Sequence, residues 1–135
     1  MPPPSGLHHA ALTVTDLAAS ATWYLEVLGL EQVFQEVTDT GGRAVLRIPA
    51  SGQMVGLVQH GGGEGDFDPH RTGLDHLAFS VGSREEVEWW VGWFDERGVT
   101  HSGLNETPFG AMLNFKDPDD IALTMHWERG FPAGP

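Results

Sequence analysis

The sequence predicts an α+β protein built from two copies of one unit, in the order strand, helix, strand, strand, strand. Three observations carry this. The segment Leu7-His8-His9-Ala10-Ala11-Leu12-Thr13-Val14 returns as Leu74-Asp75-His76-Leu77-Ala78-Phe79-Ser80-Val81, so that His9 falls on His76 after 67 positions. A helix start follows each of these histidines at the same distance, at Asp16 and at Ser83. Three short apolar runs separated by turn residues then follow each helix, and self-similarity at a fixed spacing is the mark of a duplicated module. A chain of 135 residues has room for two such modules and little else.

In the first module the opening run, apolar with Thr13 interspersed, reads as a strand. Asp16 is an N-cap, and Leu17, Ala21, Tyr24, Leu25 and Leu28 then form one apolar stripe at helical spacing. Gly29 ends the helix where a left-handed residue is favoured. Strands are expected over 32–37, 43–49 and 53–60, punctuated by Asp39-Thr40-Gly41-Gly42 and Ala50-Ser51-Gly52. The glycine-dense stretch after His60 reads as a flexible connection.

In the second module Ser83-Arg84-Glu85-Glu86 is a capping box in which Glu86 reaches back to the cap. Val87, Trp90, Val91 and Phe94 supply the buried stripe, and Gly98 the stop. Strands are expected over 99–104, Gly110–Lys116 and 121–127. The boundaries are therefore a disordered tail over 1–6, a first module over 7–60, a linker over 61–73, a second module over 74–128 and a C-terminal tail over 129–135. The closing strands repeat as well, Leu57-Val58-Gln59-His60 overlaying Leu123-Thr124-Met125-His126.

Composition narrows the function. With 40% hydrophobic residues the chain can build a packed core. A net charge of −12 argues against nucleic acid or an anionic membrane as partner and favours a small neutral or cationic one. There is no cysteine, which removes disulfides, thiolate metal sites and cysteine nucleophiles and fits a cytoplasmic protein. No stretch resembles a signal peptide or a membrane span. Motifs for a zinc helix, a nucleophile elbow or a dinucleotide loop are absent from the sequence.

The segment His9-Ala10-Ala11-Leu12-Thr13-Val14-Thr15-Asp16-Leu17, its continuation Trp23-Tyr24-Leu25-Glu26-Val27-Leu28-Gly29-Leu30, and the turn Phe115-Lys116-Asp117-Pro118-Asp119 resemble the vicinal oxygen chelate superfamily. That superfamily includes glyoxalase I, fosfomycin-resistance proteins, extradiol dioxygenases and bleomycin-resistance proteins. The resemblance implies two tandem βαβββ modules forming a curved, mostly antiparallel eight-stranded sheet around one pocket, commonly in a homodimer. It also implies a divalent metal (Zn, Fe, Mn or Ni), held by residues of the first and fourth strand of each module. By position these are His9 and His76 on the first strands, and Val58 and Thr124 where the glyoxalases carry glutamates.

Both carboxylates are thus missing, and two imidazoles alone make a weak site. Val58 cannot ligate a metal, and Thr124 offers only a neutral hydroxyl. Residues two apart on a strand share a face about 6.6 Å apart, so His60 and His126 line the pocket if Val58 and Thr124 do. His126 or His60 is accordingly the candidate third ligand, and His126 is the one assigned with His9 and His76. Glu106, in the loop that overhangs the cavity in related folds, is the candidate general base, and Trp127 a candidate at the pocket mouth. His8 is expected on the face opposite His9. His70 and His101 read as surface residues, and Trp89 and Trp93 as exposed or part of a subunit contact.

Two readings of function stay open at this level. One is a metal-free binding protein that sequesters a small organic molecule, like the bleomycin-resistance group. The alternative is a metal-dependent lyase, isomerase, transferase or dioxygenase acting on a substrate with two adjacent oxygens.

Overall fold

A computed structural model describes residues 1–130; residues 131–135, most of the expected C-terminal tail, lie outside the described residues. The chain divides into two compact units between Gly65 and Asp66, inside the expected linker. The first unit holds β1 (His9–Thr13), α1 (Leu17–Leu28), β2 (Glu31–Thr38), β3 (Gly41–Arg47) and β4 (Met54–Gln59). The second holds β5 (Leu77–Ser80), α2 (Arg84–Arg97), β6 (His101–Thr107), β7 (Gly110–Lys116) and β8 (Ala122–Glu128). Each unit is a βαβββ module. The eight strands fall into two four-stranded sheets, ordered β1-β4-β3-β2 and β5-β8-β7-β6, rather than into one continuous sheet. In each, the first strand runs parallel to the last and the other two pairings are antiparallel. No helix among the described residues is long and apolar enough to cross a membrane.

Capping chemistry sets both helices. The Asp16 carboxylate accepts the Ala19 N–H at 3.1 Å, and the Ser83 hydroxyl accepts that of Glu86 at 3.1 Å. The capping box departs from its expected form, because Glu86 takes the N–H of Gly82 at 2.7 Å and not that of the cap. Gly29 and Gly98 close the helices with φ of 70° and 66°. The turn from β7 to β8 is wound around Asp117, a buried carboxylate that accepts the N–H groups of Asp119 at 2.8 Å and Ile121 at 2.9 Å.

Alternation then sorts each sheet into two faces. In the first, Leu12, Ala44, Leu46, Val55 and Leu57 are buried with Tyr24 and Leu28 of α1. In the second, Phe79, Ala111, Leu113, Phe115, Leu123 and Met125 are buried with Val87 and Phe94 of α2. The opposite, open faces carry His9, Ala11, Thr13, Gly56 and Val58 in one module and Ala78, Ser80, Met112, Asn114, Lys116, Thr124 and His126 in the other.

The ladders correct the expected register of the repeat. In the first module His9 pairs with Met54, and Val14 donates its N–H to the carbonyl of Val58 at 2.9 Å. In the second Leu77 pairs with Leu123, and Val81 donates to His126 at 3.0 Å. Measured from the first strands, Val58 therefore corresponds to His126 and Gly56 to Thr124. The overlay of Leu57–His60 on Leu123–His126 follows side-chain likeness, whereas the hydrogen-bonded partner strand sets the register, two residues away. A slip of two preserves the face, so the alternation argument survives it.

Candidate functional site

The second module contains a cavity of about 520 Å³ where β7 ends and β8 begins, walled by Asp75, His76, Thr100, Ser102, Met112, Asn114, Lys116, Ala122 and Thr124. Its floor is a chain of polar groups on the open face of the sheet. Thr124 is 3% exposed, and its hydroxyl donates to the Asn114 carboxamide oxygen at 3.0 Å. The Asn114 N–H goes to the Ser102 hydroxyl at 3.1 Å, which also accepts from the Asn105 amide at 3.0 Å and donates to the Gly103 carbonyl at 2.8 Å. These bonds follow from register, because Asn114 pairs with Thr124 across β7 and β8 and puts the two side chains side by side. At the rim, Nδ1 of His76 lies 2.7 Å from the Asp75 carboxylate, which leaves Nε2 as the free edge of the ring.

The expected site residues separate into three groups. Thr124 and His76 line the cavity. His126 lies on the same open face and lines a second groove of about 410 Å³ with Ala78, Ser80 and Glu128; its Nε2 is buried with no hydrogen-bond partner among the described residues. His9, His60 and Val58 belong to the first module. There His9 is exposed, and its Nδ1 lies 2.9 Å from that of His8, the rings meeting edge to face. The two neighbouring rings are thus tied together and do not diverge to opposite faces. His60 lies past the end of β4, with Nε2 3.3 Å from the Thr13 hydroxyl, and Val58 is half-buried beside Thr13.

Three expectations are corrected. Glu106 pairs in register with Ala111, a buried residue of the helix face, so it does not stand over the cavity. Its carboxylate is bound to Arg84 at the start of α2, with contacts of 2.6 and 2.7 Å, and Arg84 also binds Glu88 at 2.6 Å. The hydrogen bonds that it donates to Glu106, then to Glu88, hold the Arg84 guanidinium above its ordinary pKa. Trp127 pairs with Ala111 in the β7–β8 ladder, hence it too lies on the helix face, opposite His126, with the Arg129 guanidinium over its ring. Likewise His101 is not a plain surface residue: its side chain is 14% exposed and binds the α2 carboxylate of Asp95 at 2.6 Å. His70 is exposed as expected.

Neither module by itself offers a divalent metal a matching donor set among the described residues. Among the described residues no group of three or more His, Asp or Glu side chains converges on one point. Thr124 gives its hydroxyl proton to Asn114, and its counterpart in the first module, Gly56, has no side chain at all, so neither supplies a carboxylate. Asn114, Ser102 and Lys116 are the site residues that sequence reasoning missed. Counting alternate residues back along β7 from Lys116 would have found Asn114, provided that the pairing with β8 was known.

Comparison with known proteins accords with this geometry. Residues 6–125 match the model of the Glyoxalase/Bleomycin resistance protein/Dioxygenase superfamily. A glyoxylase/bleomycin resistance protein/dioxygenase domain from Frankia sp. EAN1pec is 37% identical, with 96% of each chain covered and a TM-score of 0.86. The uncharacterized protein YaeR of Escherichia coli is 28% identical over 134 residues, covering 89% of this chain and 94% of that protein. The fosfomycin resistance protein FosX of Listeria monocytogenes, solved with Mn(II), is 24% identical with a TM-score of 0.70 over 92% of this chain and 93% of its own, and shares the fold. The duplicated βαβββ modules and the family model matched over residues 6–125 establish that the chain belongs to the Glyoxalase/Bleomycin resistance protein/Dioxygenase, or vicinal oxygen chelate, superfamily.

Proposed function

We propose that the protein binds a small organic molecule in the cavity of its second sheet and holds it without a divalent metal, as a sequestering member of its superfamily. The observation that carries this reading is the floor of the cavity, where Thr124, hydrogen-bonded to Asn114, offers a metal only neutral groups. A cavity of about 520 Å³ falls within the range of small-molecule sites.

Calorimetric titration of tag-free protein with Zn, Fe(II), Mn and Ni tests it. The expected result is uptake well below one ion per chain; one tightly bound ion per chain sinks the reading. The second reading, a metal-dependent lyase, isomerase, transferase or dioxygenase, draws support from His126, whose buried and unpartnered Nε2 is the kind of group that a ligand or ion would satisfy. That titration separates the two.

The same reading includes a homodimer working in the cytoplasm. Exposed Trp89 on α2 of the second module and, separately, Val33, Phe34 and Val37 on β2 of the first each supply apolar surface for a subunit contact. Sedimentation at micromolar concentration is expected to give twice the chain mass, and a monomer there removes the dimer from the reading.

A further inference from the structure

We infer that the cavity of the second sheet selects an organic anion, a small acid whose charged head meets Lys116 and Asn114 while its apolar body lies against Met112. The inference rests on the reading of the protein as a small-molecule binder and names the class of ligand.

It begins with the cations. The chain has six arginines and one lysine. Among the described residues Arg43, Arg47, Arg71, Arg84 and Arg97 each lie within 4.0 Å of a carboxylate, and Arg129 lies over the Trp127 ring. Lys116 has neither kind of partner there, and it stands on the cavity wall.

The first module supplies an internal control. Arg47 ends β3 as Lys116 ends β7, and their ladder partners Met54 and Ala122 open the following strands. Arg47 is neutralised from the edge strand by Glu31 at 2.9 Å. On the edge side of Lys116 stands Thr100, a neutral residue whose carbonyl takes the Lys116 N–H at 3.2 Å. The same position is thus charge-compensated in one module and left open to a cavity in the other.

The polar floor points to the same ligand chemistry. Thr124 donates to the carboxamide oxygen of Asn114 and Ser102 takes its backbone N–H, so the group of Asn114 that is wholly unengaged is the amide NH₂, a donor. The wall also carries a carboxylate, Asp75, hydrogen-bonded to the His76 ring at 2.7 Å, whereas Asn114, Ser102 and Thr124 on the floor are neutral. A net charge of −12 draws cations from afar, but salt screens such attraction beyond about 8 Å.

Titration of the whole protein with benzoate, benzamide and benzylamine, which share a ring and differ in head-group charge, tests the inference. Benzoate is expected to bind most tightly. Lys116→Ala is expected to weaken it by about tenfold or more while leaving benzamide unchanged, and Lys116→Arg to retain it. Thr124→Val, which frees the Asn114 oxygen, is expected to weaken benzoate severalfold, with Thr124→Ser restoring it. Lys116 is exposed, so its substitution leaves the fold intact whatever becomes of the buried Thr124 variants. Preference for benzylamine, or benzoate binding indifferent to Lys116, overturns the anion assignment and leaves the binder reading standing. Silence from all three probes overturns it as well, and the binder reading is then decided by the divalent-ion titration.

Discussion

Phe94→Ala is expected to destabilise the second module by about 3–5 kcal/mol. The Phe94 side chain is fully buried, and its ring packs on Phe115 at 4.5 Å and Trp90 at 5.4 Å between centroids. Removing the ring forfeits its transfer free energy and leaves a void that the β7 side chains, fixed by ladder bonds on both flanks, cannot collapse to fill. Urea unfolding followed by circular dichroism measures the cost. A loss below about 1 kcal/mol would mean that α2 is not the lid of this core.

Tyr24→Ala is the matching experiment in the first module, again at about 3–5 kcal/mol. Tyr24 is fully buried, and Trp23 meets its ring edge to face at 4.9 Å. Tyr24→Phe keeps the ring and is expected to cost far less, which separates packing from the hydroxyl. The two anchors are not equivalent positions. Counted from the caps at Asp16 and Ser83, Tyr24 corresponds to Val91 and Phe94 to Val27. The duplicated modules keep one fold while seating their largest core ring one helical turn apart, so the total volume of the core, rather than a particular aromatic position, is what the two copies share.

How much of this was legible in the sequence divides along one line. Elements came from local chemistry: the caps at Asp16 and Ser83, the stops at Gly29 and Gly98 and the turn at Asp117 each act within a few residues and were readable as such. Register is a long-range property. The likeness of Leu57 and His60 to Leu123 and His126 suggested an overlay that the hydrogen-bonded ladders place two residues away. Because the slip is even, Thr124 and His126 still fell on the open face. Glu106 reads as a loop residue in the sequence, whereas β6 runs on through Thr107 and its ladder turns Glu106 onto the helix face. For Trp127 the error was avoidable, since a residue adjacent to His126 on a regular strand must point the other way. The Thr124–Asn114–Ser102 chain spans three strands, and no single stretch of sequence announces it.

The solitary lysine has a practical consequence. Amine-directed chemistry on the side chains of this sequence has one address, Lys116. Reductive methylation with a carbon-13 reagent would therefore plant a single side-chain resonance in the wall of the cavity, a reporter that needs no engineered label.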